Sequence, residues 1–236
     1  MNDLPYGLGR KPSPPDSRDY KLRDYLTAFP DFAKDSKAWL VGPVRDQGDT
    51  PHCVGFSGIH WQNAEPVLNL LTERDGHDLY DRCKELDGDD EDGSYVRTLA
   101  RVLKNMGRLD SYAFGTLFDA RKFLLTQGPI VFGLDWYEGL FYPDTSGTVR
   151  PWGELCGGHA ILASAADPDW CYLQNSWGTE WGREGHCRIS WPDLEVAFGE
   201  HGEAMAAVEL PLGTPPTPEP WYVRLWYWFL RLFGRR

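Results

Sequence analysis

Three short motifs that lie far apart in the chain must meet in the folded protein if they act together, and this requirement constrains the fold more than composition does. They occupy residues 47–53, 157–160 and 175–178. The first ends in a cysteine, the second contains a histidine, and the third begins with an asparagine. Together they supply a thiol, a base, a group that orients the base and an amide donor, which are the parts that attack on a carbonyl group by cysteine requires.

Cys53 is the predicted nucleophile because of the sequence on either side of it. Residues 48–51 are Gly-Asp-Thr-Pro, a composition typical of turns, and the following residues predict a helix within 53–71 that Pro66 interrupts or ends. A helix dipole and a protonated histidine would both favour the thiolate over the thiol. We therefore expect the thiol pKa of Cys53 to be lowered and Cys53 to be the most reactive cysteine.

Three further residues complete the predicted site. His159 is the candidate base, and Asn175 would hydrogen-bond the second ring nitrogen of His159 and fix its orientation. Gln47, together with the backbone N–H of Cys53, would bind the oxyanion of a tetrahedral intermediate. The alternatives are that Cys53 is a buried structural cysteine, that His159 is a histidine packed in a strand, and that Asn175 is a turn residue. A separate alternative is that His52 modulates Cys53.

With their neighbours, these motifs resemble those of the papain family of cysteine peptidases. Residues 53–57, Cys-Val-Gly-Phe-Ser, are similar to the family's Cys-Trp-Ala-Phe-Ser. Residues 157–162, Gly-Gly-His-Ala-Ile-Leu, resemble the strand that carries the catalytic histidine, and 175–185, beginning Asn-Ser-Trp-Gly, is close to the family's most characteristic run. The resemblance covers residues from about 40 to 208 and is nearest to the compact enzymes of bacteria and their viruses.

The resemblance implies a fold, an activity and a set of binding residues. The implied fold is α+β and two-lobed, with a helical lobe, an antiparallel sheet lobe and the active site in the cleft between them. The implied activity is that of a papain-like cysteine endopeptidase acting on peptide or protein substrates without a metal or organic cofactor. Trp177 would shield the Asn–His bond, and the substrate-binding residues would be Gly93, Ser94, Gly158 and Trp177.

Two other functions remain open on the sequence. One is a papain-like peptide-binding or virion-assembly protein without turnover, and the other is a cell-wall peptide hydrolase that shares the cysteine–histidine chemistry. The intact set of Cys53, His159, Asn175 and Gln47 favours a peptidase over the first alternative. The Asn-Ser-Trp-Gly run favours the papain family over the second.

The hydrophobic pattern predicts the order of lobes, helices and strands along the chain. The peptidase domain spans 37–212, with a helical lobe at about 37–127 and a sheet lobe at about 128–212. Residues 1–36 are Pro-rich, and we expect them to pack along the body as a strap, with an inhibitory plug in the cleft as the alternative. Further helices are predicted at 94–106 and 117–126, and strands at 129–134, 159–165, 170–175, 186–190 and 204–209.

Charge and cysteine content restrict partners and location. The net charge of −11 argues against nucleic acid as a partner. The chain has no Cys-x-x-Cys or His-x-x-x-His spacing, so no metal site is expected. An odd number of cysteines and an N-terminus unlike a secretion signal predict a cytoplasmic protein, and the resemblance to compact bacterial enzymes implies a prokaryotic or phage-encoded one. An acidic run at 85–92 is expected to be a charged loop that favours basic substrates rather than a calcium site.

The C-terminal residues form a separate unit in the sequence. Residues 213–220 are a Pro-rich linker, and residues 221–236 are a basic, aromatic and amphipathic tail. Its arginines cluster on one side of a helical projection and its aromatic residues fill the rest. We expect this tail to lie in a membrane interface, with a groove on a partner protein as the alternative.

Overall fold

The computed structural model describes residues 4–26 and 35–208. The predicted linker at 213–220 and the tail at 221–236 lie outside the described residues. The described residues form five α-helices and ten strands, so the predicted α+β class is observed. Within this part of the chain, no helix is both long enough and apolar enough to cross a membrane.

The helices are distributed along the chain and its two lobes. Their bounds are α1 Cys53–Asn63, α2 Glu73–Asp87, α3 Val96–Asn105, α4 Leu117–Thr126 and α5 Trp191–Phe198, with short 3-10 helices at Leu22–Tyr25 and Glu138–Phe141. Polar side chains fix several helix starts. Thr72 and Asp75 form a capping box before α2, and Thr116 and Asp119 form one before α4.

Seven strands form one continuous path in the main sheet. The strands are β1 Arg10–Lys11, β2 Tyr20–Lys21, β3 Lys37–Ala38, β4 Ser94–Tyr95, β5 Ser111–Phe114, β6 Ile130–Tyr137, β7 Leu155–Ala166, β8 Trp170–Gln174, β9 His186–Ser190 and β10 Glu203–Val208. The path runs β2-β5-β10-β6-β7-β8-β9, and β3 pairs with β7. The pairs are antiparallel apart from β2 with β5, while β1 and β4 form a separate parallel pair.

Helix α1 is held by packing rather than by helix propensity. All eleven of its residues are buried, which leaves it without a polar face. A Cβ at Gly55 would lie 2.3 Å from the carbonyl oxygen of Gly76, so this glycine allows α1 and α2 to approach closely. Tertiary contacts thus outweigh the cost of glycine in a helix. The helix ends at Asn63, within the predicted range 53–71 and ahead of Pro66, where the sequence predicted an interruption or end; Ala64 is already extended.

Two hydrophobic clusters correspond to the two lobes. One contains core residues of α1, α2 and α3 together with a few from β6, β7 and β10. The other is centred on the sheet and includes α5 and the buried side chains of α4, among them Phe123 and Leu124. Helix α4, which the sequence placed in the helical lobe, therefore packs with the sheet. Because β7 contributes to both clusters, the two lobes meet along the strand that carries His159.

The N-terminal segment follows the surface and then anchors in the sheet lobe. Leu22 and Leu26 are buried in the sheet cluster, and β2 pairs with β5. The carboxylate of Asp19 binds the guanidinium of Arg97 with both oxygens, at 3.0–3.1 Å from Nε. This portion packs along the body, as expected of a strap. Residues 27–34 of this segment lie outside the described residues.

Candidate active site

Cys53 is the first residue of α1 and lies against β7. The backbone N–H of Ala160 donates a hydrogen bond of 3.4 Å to its Sγ. Since Ala160 directly follows His159, this contact brings two of the three predicted motifs together. Cys53 is fully buried, with 0% of its surface exposed. The side chain of the preceding His52 contacts His77 and Tyr80 of α2 and does not take part in these contacts.

His159 is held by Asn175, as the sequence predicts. Its Nε2 lies 2.7 Å from Asn175 Oδ1, and the same oxygen accepts a 2.8 Å hydrogen bond from the backbone N–H of Ser176. An amide oxygen only accepts, so Nε2 carries the proton and Nδ1 keeps the lone pair of a base. His159 Nδ1 is buried and has no hydrogen-bond partner among the residues that the structure describes. This nitrogen is therefore unengaged and free to take a proton.

Gln47 is placed in the site by backbone pairing with the third motif. Asp46 forms an isolated bridge with Trp177, and the N–H of Gln47 donates to the carbonyl of Ser176 at 2.9 Å. The Ser176 hydroxyl donates to Gln47 Oε1 at 2.6 Å, which turns the amide nitrogen the other way. Nε2 then donates to the carbonyl oxygens of Thr50 at 2.6 Å and Gly7 at 3.2 Å. The side chain is thus a fixed donor, and one of its two hydrogens points to Gly7.

Two tryptophans enclose the imidazole of His159. The ring of Trp177 lies 4.5 Å from it at an interplanar angle of 35°, consistent with the shielding role that the family resemblance implies. Trp136 lies 4.6 Å away on β6 at 64°, and sequence reasoning missed it. The strand that carries Trp136 was predicted to end at residue 134. If that strand had been extended, the alternation of side chains along it would have placed Trp136 on the buried face. Both indoles are nearly fully buried, so they exclude water from the His159–Asn175 bond.

The N-terminal segment covers this group of residues. The carbonyl of Gly7 accepts hydrogen bonds from Gln47 Nε2 and from Trp177 Nε1, the latter at 3.3 Å. The ring of Tyr6 stacks on Trp177 at 4.6 Å. Gly9 lies against the backbone of Pro51, where a Cβ would approach the carbonyl oxygen to 1.8 Å. Residues 6–10 therefore occupy the cleft itself, as the plug alternative describes, while the later part of the segment forms the strap.

The residues predicted to hold a substrate backbone contact this same segment. The N–H of Ser94 donates to the carbonyl of Gly9 at 2.8 Å. The N–H of Gly93 donates to the hydroxyl of Tyr80 at 2.9 Å and not to the segment. Gly93 instead leaves room for the segment, since a Cβ there would lie 2.6 Å from the Gly9 oxygen. At Gly158 a Cβ would lie 2.2 Å from the carbonyl oxygen of Arg10. A peptide backbone can approach both walls of the cleft only because these positions lack side chains.

Burial controls the protonation of both reacting groups in the covered state. Burial raises the pKa of the Cys53 thiol to about 11, although hydrogen bonds from the backbone amides of Ala160, Gly9 and Val54 act in the opposite direction. Burial likewise lowers the pKa of His159 to about 4, against the effect of the bond to Asn175. The expectation of a lowered pKa for Cys53 is not met in this state, because desolvation of the thiolate outweighs these backbone hydrogen bonds and the charge of Arg10.

Acid should destabilise the fold through two buried histidines. The pKa of His60 is lowered to about 3 by burial, and its Nε2 accepts a 3.1 Å hydrogen bond from the backbone of Arg45. His60 and His159 stay neutral when folded and gain protons below about pH 6.5 when unfolded, so stability is lost as pH falls. We expect each to cost about 1.4 kcal/mol per pH unit below that value. Urea unfolding between about pH 7 and pH 5 measures the slope.

A matched pair of variants isolates this effect. His60→Gln should remove about one proton from the pH dependence of the free energy of unfolding. His201→Gln serves as the control, because the His201 side chain is 59% exposed. Equal slopes in the two variants would mean that buried His60 is not the source of the acid sensitivity.

The other cysteines and the acidic run differ in burial and contacts in the part of the chain that the structure covers. All five cysteines are free thiols, and Cys83, Cys171 and Cys187 are buried away from the site. No group of three or more His, Cys, Asp or Glu side chains among the described residues is arranged to hold a metal ion. The acidic run at 85–92 is not wholly a loop, because α2 continues to Asp87. Asp89 pairs with Lys11 and Lys84, so part of its charge is already neutralised.

Comparison with known proteins gives the fold and a set of relatives. No family model matches the chain. A cathepsin L-like peptidase of Aedes aegypti is 23% identical in an alignment 198 residues long, which covers 65% of this chain and 57% of that protein. This chain spans less than two thirds of the length of the curated relatives it matches, which are described as cathepsin-like or cysteine proteinases.

Solved structures give the same fold over more of the chain. Xylellain, a cysteine protease from Xylella fastidiosa, superposes with a TM-score of 0.63 at 17% identity, covering 89% of this chain and 99% of that one. A Carica candamarcensis cysteine protease in complex with E-64 gives 0.59 at 18% identity, with 75% and 99% covered. These likenesses confirm the predicted papain-like α+β fold class.

Proposed function

Since this chain has the papain-family cysteine peptidase fold and its curated relatives are cathepsin-like cysteine proteinases, we propose that it is a cysteine endopeptidase acting through Cys53, His159, Asn175 and Gln47. The observation that carries the proposal is the 2.7 Å bond between His159 and Asn175. It leaves His159 Nδ1 as an unengaged base in the same strand whose Ala160 amide binds Cys53. The three motifs thereby share one buried site.

The proposed reaction proceeds in two stages. His159 Nδ1 takes the proton of Cys53, and the thiolate attacks the scissile carbonyl to form a carbon–sulfur bond. Gln47 Nε2–H and the backbone N–H of Cys53 donate to the resulting oxyanion. His159 then gives its proton to the leaving amine as the carbon–nitrogen bond breaks. In the second stage His159 takes a proton from water and the hydroxide attacks the thioester. The carbon–sulfur bond then breaks, the acid product leaves, and His159 returns the proton to the Cys53 thiolate.

The described state is the covered form of this enzyme. The carbonyl of Gly7 accepts a hydrogen bond from the Gln47 amide nitrogen, which would otherwise donate to the oxyanion. Burial keeps both the Cys53 thiol and the His159 imidazole neutral. The segment also contacts the nucleophile directly, because the backbone amide of Gly9 donates a hydrogen bond to the Cys53 thiol. Turnover requires residues 6–10 to leave the cleft and a substrate to take their place.

Cleavage of a peptide library tests the proposed activity. The full chain should produce internal cleavage products by mass spectrometry, and Cys53→Ser should produce none. A papain-like protein that binds peptides without turnover would give no products with either chain. Products that persist in Cys53→Ser would assign the chemistry to another residue.

The tail at 221–236 is proposed to attach a cytoplasmic enzyme to an anionic membrane surface. Its aromatic and basic composition suits the headgroup region, and a Pro-rich linker separates it from the last strand. Truncation after Gly213 should preserve peptidase activity and abolish flotation with anionic liposomes. Full-length protein that does not float with liposomes would contradict the membrane role. A truncated chain that unfolds would show that the tail belongs to the core.

A further inference from the structure

Arg10 places its side chain in an anionic pocket that opens beside the cleft. Its Nε and Nη2 donate to Glu203 Oε2 at 3.1 and 2.9 Å, and its Nη1 donates to Asp135 Oδ1 at 3.4 Å. Nη2 also donates to the backbone carbonyl of His201. The Arg10 side chain has no exposed surface. Glu203 begins β10 and Asp135 lies in β6, so the two carboxylates come from adjacent strands of the sheet.

The pocket is shaped for a long side chain that enters from the cleft. At Gly133 a Cβ would lie 2.7 Å from Arg10 Nε, so the missing side chain provides room for the guanidinium. At Gly158 a Cβ would lie 3.0 Å from Arg10 Cδ. Gly158 and Ser94 contact the backbone of the segment at Gly9 and Arg10, where the side chain that fills the pocket begins. A peptide held at these two residues would therefore direct a side chain into the pocket.

The carboxylates of Glu203 and Asp135 give the pocket a negative charge that a cation must balance. Two carboxylates face one guanidinium, and Glu203 Oε1 is buried without a hydrogen-bond partner in the described part of the chain. The other titratable group nearby is His201, whose Nδ1 lies 3.3 Å from Asp135 Oδ2. Buried carboxylates without a paired cation are strongly unfavourable. When Arg10 leaves, the pocket therefore needs another positive side chain or must fill with water.

We propose that Glu203 and Asp135 determine specificity by selecting a substrate arginine at the position held by Ser94 and Gly158. This inference rests on the proposed peptidase function and names the substrate class of that site. Arginine fits better than lysine because its planar guanidinium donates in three directions at once, toward both carboxylates and the His201 carbonyl. Arg10 is then an internal copy of the residue that the pocket selects.

Matched peptide substrates test the selection. Two peptides that differ only by arginine or citrulline at one position share shape but differ in charge. We expect the full chain to cleave the arginine peptide with a kcat/KM about 10- to 100-fold higher. Covering by the segment lowers both values by the same factor, so the ratio is unaffected. Glu203→Gln should reduce the ratio toward one, and equal cleavage of the two peptides by the full chain would overturn the inference.

A second measurement does not depend on peptidase activity. In the full chain, Arg10→Met should loosen the segment and increase alkylation of Cys53 by iodoacetamide. Acetyl-arginine methylamide should slow that alkylation again, and acetyl-citrulline methylamide should not. Arg18→Met is the control, because the Arg18 side chain is 85% exposed.

The two measurements separate failure of the pocket from failure of the proposed function. If neither peptide is cleaved but arginine alone protects Cys53, the pocket is confirmed and the peptidase proposal fails. If peptides are cleaved while arginine and citrulline protect equally, the peptidase stands and the selection of arginine is wrong. An unchanged alkylation rate in Arg10→Met would also contradict the pocket.

Discussion

Gly9→Val in the full chain should expose Cys53 and raise peptidase activity by about 10- to 1,000-fold. A Cβ at Gly9 would lie 1.8 Å from the carbonyl oxygen of Pro51, a backbone atom that cannot rotate away. The segment therefore cannot return to the cleft. If the open form makes up about 0.1–10% of the wild-type population, making it dominant raises the rate by the inverse of that fraction. Turnover of a fluorogenic peptide and the rate of Cys53 alkylation measure the effect.

Two controls accompany this variant. Ser17→Ala changes an exposed residue of the same segment and should leave both rates unchanged. Cys187 is buried in β9 within the sheet cluster, so its alkylation should be the same in Gly9→Val and wild type. If Gly9→Val folds and its Cys53 reacts no faster than in the wild type, the segment does not control access to the site.

Gln47→Ala should reduce turnover by about 10²–10³-fold once the segment is displaced, which is the usual cost of losing an oxyanion donor. The background matters because Gln47 Nε2 also binds the Gly7 carbonyl in the covered form. In the wild-type chain, loss of that bond would loosen the segment and partly offset the loss of the donor. The comparison is therefore between Gly9→Val and Gly9→Val/Gln47→Ala, with kcat measured at saturating peptide.

Gln127→Ala in the same background provides a control for loss of a glutamine elsewhere. Gln127 caps α4 and donates to the carbonyl of Tyr25, far from the three motifs. Its loss should alter stability slightly and leave kcat unchanged. A Gln47→Ala enzyme that folds and turns over at the parent rate would remove Gln47 from the oxyanion site.

The local geometry of the candidate site could be predicted from the sequence because the motifs carry their own structural context. The turn before Cys53 and the strand around His159 lie where the sequence placed them, and Asn175 directly follows β8 instead of ending it. The pairing of Asp46 with Trp177, which positions Gln47, joins two of these motifs directly. Helix α4 was predicted with the observed bounds, 117–126, since its hydrophobic pattern and Thr116 cap are local signals.

Other features depend on contacts that local patterns do not encode. Helix α2 was missed because its sequence is mostly charged, and only Gly76, Leu79, Tyr80 and Cys83 form its buried face. Strand β5 and helix α5 were also missed, since both are short and stabilised by neighbouring elements. The cover over Cys53 is a contact between residues far apart in sequence. Burial of Cys53 raises its pKa against the expected direction, and residues 48–57 alone do not reveal that burial.

The most direct test of the central claim is to locate the residue modified when a peptidyl epoxide inactivates Gly9→Val. Activity and intact mass would be followed together, and the adduct mapped by peptide sequencing. We expect one adduct per chain on Cys53, formed in proportion to the loss of activity. Complete modification of Cys53 with activity retained, or complete inactivation with the adduct on another residue, would contradict Cys53 as the nucleophile.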